Sequence, residues 1–308
     1  MNTYKIIVNP ISGRGNGKNS VPKIQHILNN ENLKYDIILT EYPWHAVELT
    51  TQAVKDGYDV VVSVGGDGTS NEVINGLMRA KEEGYGKAVL GLLCVGRGND
   101  FAYGVGINND LETGCRMLTS THHSFIDVGK VTGGLFPEGR YFGNGVGIGF
   151  DAVVGFEALK MKRLSGFISY AIAAIKTAFL YYKAPLVRIE QDSNNLEIST
   201  LMISIMNGKR MGGGFMMAPN ALLDDSLLDI CIASQVSKAR IFALIPRFMK
   251  GTQASHPAIR TLQTRFIKIT ALNGTLPAHA DGETLCVDGK ELTVEILPHQ
   301  IEVITQLK

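Results

Sequence analysis

The sequence is short of several features that would each fix a class. Its four cysteines, Cys94, Cys115, Cys231 and Cys286, include no pair at CxxC spacing. That argues against a zinc or dithiol redox motif and for buried free thiols in a reducing cytoplasm. Charge of one sign is lacking as well. Thirty Lys and Arg stand against 29 Asp and Glu, a formal net charge of +1. Nucleic-acid binders carry a basic excess, so nucleic acid is not expected as a partner. The most membrane-like stretch, between Arg163 and Lys176, holds 12 uncharged residues. A spanning helix needs ~20, so no transmembrane segment is expected. The opening MNTYKIIVNP has no apolar core of the kind a signal peptide needs.

Glycine, by contrast, is abundant. There are 34 in 308 residues, roughly 11% against the ~7% usual in globular chains. They cluster after apolar runs. Strand-like segments at 4–9, 35–40, 59–64 and 88–95 alternate with helical spacing at 22–30, 46–56 and 70–83. That rhythm predicts a doubly wound parallel sheet with helices on both faces. Ligands of such sheets bind at the carboxyl ends of the strands. Glycine clusters at 13–17, 65–68 and 96–98 fall at those ends. Near residue 127 the pattern changes to short β-like runs at 187–190, 196–206, 228–232, 266–272 and 292–297, separated by turns such as Asn273-Gly274 and Asp288-Gly289. These predict an antiparallel β-sandwich. The expected division is a nucleotide-binding α/β domain over 1–127, to which 298–308 returns, and a sandwich over 128–297. One amphipathic helix is expected at 164–182. Lys160, Lys162 and Arg163 precede it, a composition that suits either an interfacial helix or one packed on the sandwich.

The strongest motif is Gly65-Gly66-Asp67-Gly68-Thr69-Ser70-Asn71-Glu72, placed between an apolar strand and a helix. Glycines let backbone N–H groups approach a phosphate, and a helix N-terminus adds partial positive charge. Asp67 beside phosphates calls for an intervening cation, for which Mg²⁺ is suited. Thr69 and Glu72 have capping-box spacing, which would start the helix at Ser70. Asn9-Pro10-Ile11-Ser12-Gly13 opens a second glycine loop. It ends in Gly17-Lys18-Asn19 and therefore lacks the Ser/Thr of a P-loop.

These strings, in this order, resemble the diacylglycerol kinase catalytic domain shared with sphingosine kinases, in the compact form of the bacterial lipid kinases. The resemblance continues through Gly96-Arg97-Gly98-Asn99-Asp100-Phe101, Ile126-Asp127-Val128-Gly129, Asn207-Gly208-Lys209, Gly212-Gly213-Gly214 and Asp281-Gly282-Glu283. It implies transfer of the γ-phosphoryl group of ATP, with Mg²⁺, to a lipid hydroxyl such as that of diacylglycerol. It places Ser12, the Gly13 backbone, Thr40 and the 65–72 string at the nucleotide; Arg97, which stands where the family commonly has Thr, is expected either to supply charge to a phosphate or to point to solvent. It implies Glu283 as proton acceptor, Asp281 as a second candidate that orients Mg²⁺ or the backbone, and Asp127 in a water–Mg²⁺ network with Asp67. Asp225 with the carbonyls of Leu222 and Leu227 is implied as a structural Mg²⁺ loop, with Ser226 where the family usually has Gly. The implied setting is cytoplasmic, peripheral at a membrane surface where the lipid lies. A homodimer stays open. NAD kinase, which shares a GGDGT string, and a non-catalytic nucleotide- or lipid-binding module are the alternatives.

Overall fold

A computed structural model describes residues 2–107, 110–119, 122–160, 172–173, 176, 184–191 and 194–305. The helix expected at 164–182 lies outside these apart from Ile172, Ala173 and Lys176. The chain divides into two compact units, Met1–Asp127 with Pro298–Lys308, and Val128–Leu297.

In the first unit β1 (Thr3–Val8), α1 (Ser12–Asn30), β2 (Lys34–Leu39), α2 (His45–Lys55), β3 (Val60–Gly65), α3 (Asp67–Glu82) and β4 (Val89–Cys94) alternate strictly. The strands pair in parallel in the order β2-β1-β3-β4. β3 is buried at all six positions, as a strand covered on both faces must be. Two short helices follow, α4 (Asp100–Gly104) and α5 (Leu111–Met117), and then β5 (His123–Gly133). The sheet gains a last parallel neighbour from β15 (Glu291–Ile304), whose Val303 pairs with Leu90 of β4. Ile6, Val8, Val62, Val64 and Leu93 form the core with Ile24 and Leu28 of α1.

Two helix starts differ from the sequence expectation. α1 begins at Ser12, not residue 22, with Gly13, Arg14 and Gly15 at positive φ and helical geometry resuming at Asn16. Pro22 therefore lies inside the helix. Packing against the preceding loop fixes this early start. A Cβ on Gly17 would lie 1.9 Å from the Asn9 carbonyl oxygen, and the Lys18 N–H donates to the Pro10 carbonyl (3.2 Å). α3 begins at Asp67, not Ser70, with Gly66 as its N-cap and no side-chain cap. The capping box does not form because both residues bond elsewhere. Thr69 Oγ1 accepts from Asn9 Nδ2 (3.1 Å), and Glu72 Oε2 accepts from the Ala46 N–H (3.1 Å) in the first turn of α2.

The second unit contains β6 (Phe136–Phe142), β7 (Gly145–Gly149), α6 (Phe150–Lys160), β8 (Leu186–Gln191), β9 (Asn194–Met206), β10 (Leu228–Ser234) and α7 (Lys238–Lys250). β11 (Ile259–Thr264), β12 (Phe266–Ala271), β13 (Leu276–Ala280), β14 (Glu283–Gly289) and the first part of β15 complete it. Its described pairings are antiparallel. β9 serves two ladders. Its first half pairs with β8 in the run β9-β8-β12-β15, and its second half lies between β7 and β10 in the run β14-β13-β7-β9-β10-β11. At the switch the Thr200 hydroxyl reaches the carbonyls of Met202 (3.0 Å) and Ala233 (2.9 Å). Val146, Ile148, Ile203 and Ile205 of one run pack with Ile189, Ile267 and Val294 of the other. A second apolar cluster seats Phe150 and Val154 of α6 and Ile241, Leu244 and Phe248 of α7. The fold is thus the expected α/β unit plus antiparallel sandwich. Among the described residues no helix is long and apolar enough to cross a membrane.

Candidate functional site

The first unit gathers its glycine loops at the carboxyl ends of β1, β3 and β4 by direct backbone contact. A Cβ on Gly13 would lie 2.0 Å from the Val95 carbonyl oxygen, and one on Gly96 2.3 Å from the Gly66 Cα. A Cβ on Gly66 would come within 3.8 Å of Ser12 Oγ. Gly13, Ser12, Gly65, Gly66 and Gly96 therefore share one locus that side chains larger than hydrogen would push apart. Asn9 ties two of the loops: its Nδ2 donates to Thr69, and its Oδ1 accepts from the Ile11 N–H (3.2 Å). Asp67 stands at the N-terminus of α3. One carboxylate oxygen accepts from the Phe101 N–H (3.0 Å), and the other lies 2.8 Å from where a Gly98 Cβ would be, with Asp100 Oδ2 at 3.4 Å from the same point. Two carboxylates thus flank Gly98 beside the three loops.

The other expected nucleotide residues divide. Thr40 follows β2, and its N–H donates to the Val8 carbonyl (2.9 Å). Arg97 is exposed in the loop after β4. Ile11 is 80% exposed at the loop tip. Ser70 and Asn71 are turned inward instead. Ser70 Oγ meets Ser63 Oγ (3.3 Å), and Asn71 is fully buried and accepts from Asn75 Nδ2. Asp127 lies within β5. It is fully buried, and its Oδ1 accepts the His299 N–H (2.7 Å), where His299 holds a left-handed φ of 51°.

In the second unit the turn from β13 to β14 carries Asp281, Gly282 and Glu283. Asp281 faces inward. Its carboxylate accepts three backbone N–H groups, from Gly143 (2.8 Å), Asn144 (3.1 Å) and Gly145 (2.9 Å). The Asn144 carbonyl in turn accepts from Asn207 and Gly208, and Asn207 Nδ2 donates to the Gly143 carbonyl (2.8 Å). Asn207-Gly208 and Asp281 therefore knot the 143–145 loop. Glu283, two residues on, is exposed at the start of β14.

Residues 3–131 match the diacylglycerol kinase catalytic domain, and residues 144–305 match the YegS C-terminal NAD kinase beta sandwich-like domain. The chain belongs to the bacterial diacylglycerol kinase family. A diacylglycerol kinase of Staphylococcus aureus (strain bovine RF122 / ET3-1) is 28% identical over 280 residues, 91% of this chain and 85% of that protein. A diacylglycerol kinase of Staphylococcus saprophyticus is 26% identical over 280 residues, 91% and 88% of the two chains. A crystal structure of a diacylglycerol kinase from Bacillus anthracis superposes with a TM-score of 0.74 at 20% identity, covering 99% of this chain and 97% of that one. Yeast NADH kinase complexed with NADH shares the fold more distantly, with a TM-score of 0.51 at 11% identity and coverage of 100% and 84%. As a member of this family the protein is a kinase, with a nucleotide as substrate.

Within this diacylglycerol kinase fold the 222–227 loop precedes β10. Asp225 Oδ1 accepts from the Leu227 N–H (3.0 Å), an Asx turn, and Leu222 is exposed. Ser226 holds φ at 62°, so serine keeps the left-handed turn that a glycine would make more readily. One carboxylate and neighbouring carbonyls are donors of the hard-oxygen kind that Mg²⁺ takes. Two buried residues of the second unit escaped sequence reasoning. Asp151 was hidden as one acid in an apolar Gly-Phe-Asp-Ala-Val-Val run. His279 stands as one histidine in an apolar run beside the Asp281-Gly282-Glu283 string.

Proposed function

We propose that this kinase transfers the γ-phosphoryl group of ATP to the hydroxyl of a lipid, diacylglycerol or a close chemical relative. The observation that carries the reading is the backbone-to-backbone meeting of the glycine loops at the head of α3, beside the Asp67 carboxylate. Packed glycines present N–H groups without side chains in front of them, and the α3 N-terminus adds partial positive charge, a combination suited to triphosphate oxygens. Asn9, Pro10, Ile11, Ser12, Gly13, Thr40, the backbone from Gly65 to Thr69, and Arg97 border the nucleotide in this reading. Ser70, Asn71 and Glu72 act behind it, holding α3 against β3 and α2. Mg²⁺, when bound, would be held by Asp67 and neutralise phosphate charge, while the Asp225 loop would hold a second, structural ion.

Glu283 is the proposed proton acceptor. As the bond from the acceptor oxygen to γ-phosphorus forms and the β–γ bridging bond breaks, the hydroxyl proton passes to Glu283 and ADP leaves. Asp281 keeps its carboxylate on three backbone N–H groups and shapes the turn from which Glu283 projects. Asp127 holds the left-handed turn at His299. The test is turnover of labelled ATP with diacylglycerol in mixed micelles, with NAD, and with neither. Label in extractable lipid is expected. Label in NADP alone would overturn the lipid acceptor and favour the NAD kinase alternative.

A further inference from the structure

The chain reverses from β13 to β14 in a two-residue hairpin turn. Ala280 and Glu283 pair across it, and both residues between them have positive φ, 48° at Asp281 and 87° at Gly282. That is the signature of a type I′ turn. Asp281 is fixed twice. Its carboxylate takes the N–H groups of Gly143, Asn144 and Gly145, and its own N–H donates to the Gly145 carbonyl (3.0 Å). A Cβ on Gly282 would meet nothing within 4 Å, so packing does not hold that residue. Its N–H instead donates to Nδ1 of His279 (3.3 Å), three residues back on β13. Glu283 follows at once and is exposed.

The imidazole that takes the Gly282 N–H is itself held. His279 is 4% exposed, and its ring fills space left by glycines. A Cβ on Gly147 of β7 would lie 2.5 Å from Nε2, and one on Gly155 of α6 would lie 3.7 Å from Cδ2. The same point at Gly147 lies 2.7 Å from Oδ2 of Asp151, which accepts from Ser204 Oγ (3.0 Å). Because Nδ1 accepts, the bond assigns the proton of a neutral ring to Nε2, on the side of Asp151. Burial pushes His279 below its ordinary value, against the pull of Asp151, Asp281 and Glu283, and so keeps Nδ1 able to accept. Nε2 has no hydrogen-bond partner among the described residues. The paired edge of this buried ring is the one that meets the turn carrying Glu283.

We propose that His279 is a positioning residue for phosphoryl transfer: its Nδ1 holds the Gly282 N–H and so aims the Glu283 carboxylate at the acceptor hydroxyl. This rests on the reading of Glu283 as proton acceptor and adds what sets its direction. His279 touches no reacting atom. A base works only within hydrogen-bond reach of the proton it takes, so the course of the chain into Glu283 matters. The central peptide of such a turn, here Asp281–Gly282, is the part that can flip. Flipping it makes φ negative at the second residue and gives the II′ form. Glycine takes either sign of φ with equal ease, so Gly282 does not choose between them. The His279 bond does, because it holds the N–H of that same peptide. The Asp281 contacts lie ahead of it in the chain and leave the choice open.

The experiment uses the full chain and a pair of replacements alike in shape. Asparagine keeps an acceptor oxygen where Nδ1 stands, and leucine keeps the shape without it. Turnover of labelled ATP is measured with diacylglycerol in mixed micelles, and hydrogen exchange is read at the Gly282 amide. His279→Leu should lower kcat by about 10- to 100-fold, the scale of a misplacement near 1 Å, with KM for ATP unchanged and the Gly282 amide open to exchange. His279→Asn should restore protection and most of the lost kcat. Urea midpoints of the two variants separate this from loss of fold, since both leave a similar gap. Should His279→Leu fail to fold, His279→Gln, whose acceptor sits where Nε2 stands, takes its place. In a Glu283→Gln background His279→Leu should cost nothing more, because the group it aims is gone. An equal loss in both backgrounds, or equal exchange at Gly282 in parent and variants, would overturn the proposal. A Glu283→Gln enzyme with the parent's turnover would sink the base reading instead, and Gly282 protection that follows the acceptor at position 279 would still support the hold on the turn.

Discussion

Replacing Asp281 by asparagine removes a charge and turns one acceptor oxygen into a donor, with almost no change of shape. The native carboxylate takes the Gly143 N–H on Oδ2 and the Asn144 and Gly145 N–H groups on Oδ1, all within 3.1 Å. An amide can satisfy only one side. Turned one way its NH₂ meets the Gly143 N–H, and turned the other way it meets two N–H groups at once. A buried donor stripped of its acceptor costs about 1–3 kcal/mol, and bonds to a charged group lie at the upper end. Asp281→Asn should therefore destabilise the sandwich unit by about 2–3 kcal/mol, and Asp281→Ala, which abandons all three donors, by about 3–5 kcal/mol. With a slope of about 1–3 kcal/mol per molar urea, the Asn variant should move the denaturation midpoint by roughly 1 M or more. Tryptophan emission would not report on it, since Trp44 lies in the other unit. Far-ultraviolet circular dichroism or hydrogen exchange at residues 143–145 is the assay. An Asp281→Asn protein with the parent's urea midpoint, its 143–145 amides still protected, and activity lost would refute the latch and return Asp281 to the chemistry.

Glu283→Gln should lower turnover by roughly 10²–10⁴-fold with the urea midpoint and ATP affinity unchanged, since Glu283 is exposed; stopped-flow with the true lipid reads the first and calorimetry the second. Gly96→Ala places a methyl group 2.3 Å from the Gly66 Cα, backbone that cannot swing aside. Shifting those loops by ~1 Å can cost about 10²-fold, so folded Gly96→Ala should show a large loss of kcat/KM for ATP. Burial holds His279 below its ordinary pKa of 6.5. Below pH 6.5 the unfolded chain takes up a proton that the native imidazole resists, so stability from this site is present above 6.5 and declines as pH falls toward the native value. His279→Asn should flatten that part of a pH–stability profile, and an unchanged profile would count against the burial argument. Burial pushes the Cys115 and Cys231 thiols up to about 12, so native protein should resist iodoacetamide at pH 8 at both positions, as mass spectrometry of the labelled chain would show.

The alternation of strands and helices was legible because each apolar run of the first unit is bounded by glycine or by a polar turn, and β3 needs no partner to be recognised as buried on both faces. The boundaries that went astray share one cause. Local spacing suggested a cap at Thr69 and Glu72 and a helix start at Pro22, but contacts outside each helix decided both: for α3 distant ones, through Asn9 to Thr69 and Ala46 to Glu72, and for α1 the preceding loop, through Asn9 to Gly17. β7 was invisible for a related reason. Gly145-Val-Gly-Ile-Gly149 has the composition of a loop, yet it forms a fully buried strand whose glycines make room for Met206, Asp151 and His279. Asp127 illustrates the limit for site residues. A carboxylate near a glycine is the same string whether it serves a ligand or a backbone N–H, and only the left-handed turn at His299, 172 positions away, distinguishes the uses.

The closing strand of the first unit has a consequence for how the protein is made. Leu90 waits for Val303, and Val105, through its carbonyl, waits for the Thr305 hydroxyl (2.7 Å). About 200 residues separate each pair, and at ~5–20 residues per second a ribosome needs roughly 10–40 s to supply them. Through that interval the nascent β4 presents an unpaired edge of Val, Leu and Gly, the kind that pairs with whatever strand comes by. The part of the chain synthesised first is therefore the part finished last, and the sandwich, an insertion complete in itself, is free to fold before the earlier unit is closed.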